Sequence, residues 1–152
     1  MILEEWTRNV LERRTDITRE QLERTTRLMN VAVPDGNVTD FEGLIRSLSL
    51  PDANDRHVLA AAITGTADYI VTFNAKDFPQ VLLTPHGIEC VGPDVFIDTL
   101  LTAHPAKVVD ALQKMRLRLN KPPKTTAEFL ATLAQQGLAK TVDHLNSYID
   151  QL

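Results

Sequence analysis

The fold is decided by the stretch from residue 50 to residue 78, which reads LPDANDRHVLAAAITGTADYIVTFNAKDF. An alanine-rich helix is predicted from about Ala53 to Ile63, ending near Gly65. The segment DYIVTF follows, and its aromatic, β-branched and uniformly apolar side chains predict a buried strand of a parallel sheet. Further on, GIECV predicts a second, shorter strand, and Val38 is a candidate for a third. The alternation of helices and strands over residues 36–103 therefore predicts an α/β fold with a small parallel sheet.

Helices flank this stretch on both sides along the chain. The N-terminal segment ILEEWTRNVLERR is amphipathic, since at about 100° per residue one face collects Ile2, Leu3, Trp6 and Val10. A second helix is expected to begin at Thr18 as its N-cap, because a glutamine three residues later completes a capping box.

From about residue 103 the chain predicts helices alone. TTAEFLATLAQQG has a capping box from Thr125 to Glu128 and a glycine stop at Gly137. The last helix carries a single apolar stripe of Leu138, Val142, Leu145 and Ile149. We therefore predict an α/β domain over residues 1–102 and a helical extension over residues 103–152.

Composition narrows the class of protein. The chain has 152 residues, 43% of them hydrophobic and 24% charged, which is typical of a globular protein with a modest core. A net charge of −4 does not favour a protein that coats nucleic acid, and a single cysteine excludes an internal disulfide or a thiolate zinc site. The apolar runs predict neither a membrane span nor a signal peptide, so a cytoplasmic location is expected.

Asp55 is the first candidate for chemistry. On the predicted helix it is centred on the apolar face, between the directions of Val58 and Leu59. One interpretation is structural: Asp52 is the N-cap, and Asp55 at the third helical position satisfies free N–H groups. The other is functional, because a carboxylate directed inward needs a partner such as a divalent metal ion. Residue types alone favour neither.

Further acidic and amide side chains are expected near the same place. Asn74 and Asp77 follow the strand YIVTF, and ligands of parallel sheets lie beyond the carboxyl ends of the strands. Both are also common turn residues. In the first helix Glu4 points to solvent, whereas Glu5 flanks the apolar stripe and can reach the edge of the core. Spacing alone nevertheless favours a solvated surface glutamate at Glu5. Together these oxygen donors suit Mg²⁺ or Mn²⁺.

These residues carry a resemblance to a known family. The stretch resembles the second half of a PIN domain, in the branch that includes the VapC-type toxins of bacterial toxin–antitoxin pairs. The pattern has an aspartate followed by alanines, then a strand ending in threonine, then asparagine or aspartate before DF. Asp55, Asn74 and Asp77 stand at these positions. GIECVGPDVFI is similar to the last strand and its proline-opened helix, and Glu5 before Trp6 resembles the conserved glutamate of the family.

The resemblance implies a three-layer α/β/α domain that binds one or two Mg²⁺ or Mn²⁺ ions and cleaves single-stranded RNA. It also implies a cognate antitoxin as partner. Carried over by position, Glu5, Asp55 and Asp77 are the catalytic, metal-binding carboxylates, and Asn74 and Asp52 are further candidate ligands. No function is carried onto the C-terminal helices.

The sequence departs from the family pattern at its start. The pattern begins with a strand that ends in the first metal-binding aspartate, and here only Met1 precedes ILEEW. We therefore expect a truncated chain, or a sheet completed by another chain, and weak metal affinity. The alternative function is a catalytically inactive interaction or assembly module. A different Mg²⁺-dependent enzyme such as a phosphatase ranks below both, because the nucleophilic-aspartate motif is missing.

An incomplete sheet would also leave apolar surface uncovered. The face of YIVTF and the stripe of the first helix would meet water, and large exposed apolar patches mark interfaces. We therefore expect a homo-oligomer, most simply a two-fold dimer. The stripe of the last helix can cover this surface within its own chain or across the dimer, and we favour burial across the two chains.

Overall fold

A computed structural model describes residues 2–152. Most of these residues are helical, and two short strands, β1 and β2, form a parallel sheet that confirms the predicted α/β class. The helices are α1 Ile2–Arg13, α2 Arg19–Ala32, α3 Glu42–Ile45, α4 Arg56–Thr64, α5 Gln80–Leu83, α6 Pro93–Ala103, α7 Pro105–Arg118, α8 Thr126–Gln135 and α9 Ala139–Leu145. The strands are β1 Tyr69–Val71 and β2 Glu89–Val91. Short 3₁₀ turns lie at Pro34–Gly36, Ala53–Asp55, Ala75–Asp77, Thr84–His86 and Asn146–Gln151.

The chain divides into two compact units. The first consists of the residues up to Ile70 together with Lys76–Glu89, and the second of Val71–Ala75 together with Cys90–Leu152. A unit of packing is not by itself a domain, so the boundary predicted between residues 102 and 103 stays a prediction. No helix within residues 2–152 has the length and apolar character that a membrane span requires.

Helix α4 organises the core of the first unit. Its residues Ala60 and Ala61 are buried against Phe41, and Val38 packs beside them. Gly65 ends the helix where the chain passes close to Val38, since a Cβ on this glycine would lie 2.7 Å from a Val38 methyl carbon. The prediction of a strand at Val38 is therefore wrong: this side chain packs into the core from a loop, without sheet pairing.

The strand β1 is shorter than predicted and is buried on one side. Ile70 is buried, whereas Tyr69 and Val71 are 46% and 42% exposed. Because successive side chains of a strand point to opposite faces, only one face of β1 is covered among the described residues. The prediction of a strand buried on both faces is therefore wrong. Within the described part of α1, Ile2 is 41% exposed and the apolar stripe has no fully buried member.

The second unit is a helical assembly with its own apolar core. Its buried side chains are Leu101, Val109, Phe129, Leu130, Leu133, Leu145 and Leu152. Thr125 forms the predicted capping box with Glu128 at the start of α8. Gly137 then adopts a φ of +87°, a left-handed conformation that glycine accepts without strain, so the chain can turn into α9.

The apolar stripe of the last helix is covered by its own chain. Leu145 is fully buried in the core of the second unit, and Leu138 and Val142 pack against that core. The expected burial of these three across a dimer is therefore wrong, because α6, α7 and α8 provide the apolar surface that they need. Ile149 is the exception, at 45% exposure.

Candidate metal centre

The carboxylate Asp55 lies where a 3₁₀ turn passes into α4. The turn spans Ala53–Asp55, and the side chain of Asp52 accepts a hydrogen bond of 2.8 Å from the backbone N–H of Asn54. Asp55 is the residue that precedes α4, yet its side chain makes no capping hydrogen bond. The predicted single helix from Ala53 is therefore wrong in its first turn. The capping role considered for Asp55 is absent, whereas Asp52 does cap the turn.

Glu5 reaches the start of α4 from the first helix. Its side chain is 38% exposed, and its Oε2 atom lies 3.0 Å from Nε2 of His57. This contact joins α1 to α4 within the first unit. Glu4, one residue earlier in α1, is exposed as predicted.

Asp77 and Asn74 follow β1 in different units. Asp77 closes the 3₁₀ turn Ala75–Asp77 and belongs to the first unit with Glu5 and Asp55. Asn74 belongs to the second unit, where its backbone N–H donates a 3.0 Å hydrogen bond to Thr72 Oγ1. The position of Asn74 is thus that of a turn residue, and its role as a ligand stays a prediction.

The acidic side chains around Asp55 affect its pKa. Burial raises the pKa of Asp55, and the negative charges of Asp52, Asp77 and Glu5 raise it further. The positive charge that His57 can carry opposes them. These neighbouring charges therefore make ionisation of Asp55 less favourable, and a divalent cation among them would relieve that repulsion.

His57 is a member of this site that the sequence prediction missed. The residue is 8% exposed, and its Nδ1 atom lies 2.6 Å from the backbone carbonyl oxygen of Asn54. The available signal was a histidine in the first turn of a helix, two residues after Asp55 in a segment that also holds Asp52 and Asn54. The spacing alone separates the two residues, because side chains two positions apart on one continuous helix point to different sides.

The site opens into a surface depression of about 630 Å³. Its lining combines five acidic or imidazole side chains with one arginine and one asparagine: Glu4, Glu5, Asp52, Asp55, His57, Arg8 and Asn54. Within residues 2–152, no three histidine, cysteine or acidic side chains already converge closely enough to hold a metal ion. The donors fit Mg²⁺ or Mn²⁺ by their chemistry, and much of the coordination shell would be water.

Comparison with known proteins gives two matching family models. Residues 2–76 match the model described as PIN domain, and residues 93–147 match the model described as VapC50 C-terminal domain. A curated protein of Mycobacterium tuberculosis, "Putative ribonuclease VapC50", is 37% identical over 82 residues. The match covers 54% of this chain and 48% of that protein, so the chain spans about half the length of its curated relative. No solved structure is significantly similar.

Proposed function

This chain is a VapC-like PIN domain protein, and from that premise we propose that it is a metal-dependent endoribonuclease, the toxin of a type II toxin–antitoxin pair. The proposed substrate is single-stranded RNA, and the proposed partner is a cognate antitoxin. The observation that carries the proposal is the acidic lining of an open depression, where Glu4, Glu5, Asp52 and Asp55 lie beside His57. Such acidic crowding at an open depression is what a Mg²⁺ or Mn²⁺ site requires.

The residues of the candidate site have separate proposed roles. Glu5, Asp55 and Asp77 would hold the metal, whose chemistry when bound is to polarise the phosphodiester and to make water nucleophilic near neutral pH. Asp52 keeps the turn before α4 in shape through its hydrogen bond to Asn54 N–H, and so positions Asp55. Arg8 lines the same depression, where its guanidinium can bind a phosphate oxygen of the RNA.

One observation favours the second function, an interaction module without catalysis. No ready-made group of three metal-binding side chains is present within the described part of the chain. In this alternative the acidic depression binds a basic surface of another protein, since clustered carboxylates attract Lys and Arg side chains. The two functions differ in whether the chain cleaves RNA.

The test is a cleavage assay with a fluorescently labelled, unstructured RNA. We expect cleavage in Mg²⁺ or Mn²⁺, none with EDTA, and a loss of at least about 100-fold in Asp55→Asn, since a metal-binding carboxylate is removed. The matched control is Asp110→Asn, which changes an exposed aspartate of α7 paired with Lys114 at 2.8 Å. Equal cleavage by wild type and Asp55→Asn would contradict the proposed site. Absence of cleavage in every metal would favour the interaction module.

A further inference from the structure

The hydrogen position on the ring of His57 follows from its neighbours. Nδ1 lies 2.6 Å from the carbonyl oxygen of Asn54, and a carbonyl oxygen only accepts hydrogen bonds. Nδ1 therefore carries the hydrogen, and in the neutral ring the lone pair is on Nε2. An imidazole whose Nδ1–H is held by a backbone carbonyl is the arrangement found in histidines that bind a metal through Nε2.

The other ring nitrogen of His57, Nε2, lies beside a carboxylate oxygen. Nε2 of His57 is buried and has no aligned hydrogen-bond partner among the described residues. Its neighbour is Glu5 Oε2 at 3.0 Å, and a carboxylate oxygen is also an acceptor. Two lone pairs at this separation repel each other unless a proton or a metal ion lies between them.

The separation of these two atoms matches that of adjacent ligands on one metal ion. Two ligands at about 2.1 Å from an octahedral ion, at 90° to each other, are about 3.0 Å apart. The observed Nε2–Oε2 distance is 3.0 Å. The distance between these two atoms is therefore compatible with a divalent ion that both side chains bind, and Asp55 lines the same depression.

We propose that His57 is a nitrogen ligand of the metal site and that it makes the site selective for Mn²⁺ over Mg²⁺. The inference rests on the proposed metal-dependent function and deepens it. Imidazole nitrogen is a good ligand for transition metals, whereas Mg²⁺ is bound almost entirely by oxygen. The all-carboxylate set of Glu5, Asp55 and Asp77 has no such preference, so the preference belongs to His57.

The decisive measurement is pulsed electron paramagnetic resonance of Mn²⁺ bound to the full chain. A directly bound imidazole gives ¹⁴N modulation of the Mn²⁺ signal, and ¹⁵N-histidine labelling changes it in a known way. We expect this modulation in the wild type, its loss in His57→Gln, and its retention in the matched control His86→Gln. By calorimetry, His57→Gln should lower Mn²⁺ affinity by about 10-fold or more and change Mg²⁺ affinity much less.

The proposal stays testable if His57→Gln does not fold. The chain has four histidines, so a variant with His86, His104 and His144 changed to Gln keeps His57 alone. Modulation in that variant assigns the ligand to His57. Bound Mn²⁺ without nitrogen modulation overturns the inference, while Asp55-dependent RNA cleavage in the same sample would leave the proposed function intact. Failure to bind Mn²⁺ at all would overturn both.

Discussion

At the scale of single residues, Asp55 lies in the candidate metal site, and its negative charge lowers the stability of the folded chain. Its pKa is raised by burial and by three neighbouring carboxylates, so its negative charge is unfavourable in the folded chain without a cation. Functional sites often carry such destabilising groups, which a substitution can relieve at the expense of activity.

We therefore predict that Asp55→Asn stabilises the metal-free chain and removes its response to metal. In EDTA the free energy of unfolding should rise by about 0.5–1 kcal/mol. For a domain of this size that raises the thermal midpoint by at most about 2–4 °C. With Mn²⁺ the wild type should gain stability and the variant should gain much less. Thermal unfolding followed by circular dichroism measures both. A metal-free variant less stable than wild type would show that Asp55 has a structural role instead.

The site could be predicted residue by residue only where local spacing determines position. Asp55 and Asp77 stand at a helix start and after a strand, and both features can be read from neighbouring residues. His57 could not be placed in the same way, because its partners are a carbonyl of the preceding turn and Glu5, a residue far away in the sequence. The 3₁₀ turn before α4 changes the direction of each side chain relative to one continuous helix, and spacing does not reveal it.

At the scale of elements, a single carboxylate from α6 caps α9. The N-cap residue of α9 is Leu138, which has no side-chain acceptor. Asp94 takes that role from another helix: its oxygens accept the backbone N–H groups of Lys140 and Thr141 at 2.9 and 2.8 Å. The Thr141 hydroxyl donates to it as well, at 2.7 Å. Thr141 is 1% exposed, so this bond lies in the interior of the second unit.

We predict that Asp94→Ala destabilises the second unit by about 1–2 kcal/mol. This range is that of a lost helix cap. The buried Thr141 hydroxyl would also lose its 2.7 Å acceptor and keep only the backbone carbonyl of residue 94, at 3.1 Å. Urea denaturation monitored through the amide signals of α8 and α9 measures the change. Asp110→Ala, an exposed position in α7, is the control and should remain within about 0.5 kcal/mol of wild type. Equal midpoints for Asp94→Ala and the control would contradict the capping role.

The same pair of helices predicts a loss of stability in acid. Hydrogen bonds from Lys140 and His144 lower the pKa of Asp98. Burial alone would raise the pKa of Asp94, but hydrogen bonds from Thr141 and Lys140 outweigh it, so this pKa is lowered as well. A carboxyl whose folded pKa lies below its unfolded value, about 3.9, stabilises the fold fully above that value. The contribution disappears as the pH falls through the folded pKa.

We therefore expect the urea midpoint of the second unit to fall as the pH drops below about 4. Asp98→Asn should start from a lower midpoint at pH 7 and should lose less of it on acidification. Asp55 works in the opposite direction, because its raised pKa means that protonation favours the folded chain. The first unit should accordingly lose less stability in this range. Parallel curves for wild type and Asp98→Asn would argue against the assignment.

The sequence predicted well those features that depend on residues within one helical turn of each other. Both capping boxes, at Thr18 and Thr125, start helices at the expected residues. The strands are right in place and in parallel order but shorter than their apolar runs, since pairing in the described residues is limited to β1 and β2. Val38 has a strand-forming side chain, and its packing against Phe41 and the α4 alanines, a tertiary contact, determines its conformation instead.

At the scale of the whole molecule, exposed apolar side chains lead us to predict self-association. In α2 and the residue after it, Leu28, Val31 and Val33 are 59%, 77% and 61% exposed. Apolar surface grouped in this way is unfavourable in water unless another molecule covers it. Light scattering at tens of micromolar should give a mass above the 17.0 kDa of one chain and rising with concentration. A constant mass of one chain would contradict this prediction.

The location of the site within one of the two units leads to a final prediction. Glu5, Asp55, His57 and Asp77 all belong to the first unit, so a bound metal is lost when that unit opens. Mn²⁺ at about 100 times its dissociation constant adds about 2.7 kcal/mol to the free energy of opening, which is roughly 100-fold slower amide exchange. Hydrogen exchange should therefore slow strongly in α1 and α4 and much less in α8 and α9.

Two comparisons make that experiment specific to the site. Asp55→Asn with Mn²⁺ should exchange like the metal-free wild type, because the ligand set is broken, whereas Asp110→Asn should respond like wild type. Equal slowing in α4 and α8 of the wild type would show that both units open together, and the metal would then stabilise the chain as one cooperative structure. Slowing confined to α8 and α9 would place the metal in the second unit and would contradict the site formed by Glu5, His57 and Asp55.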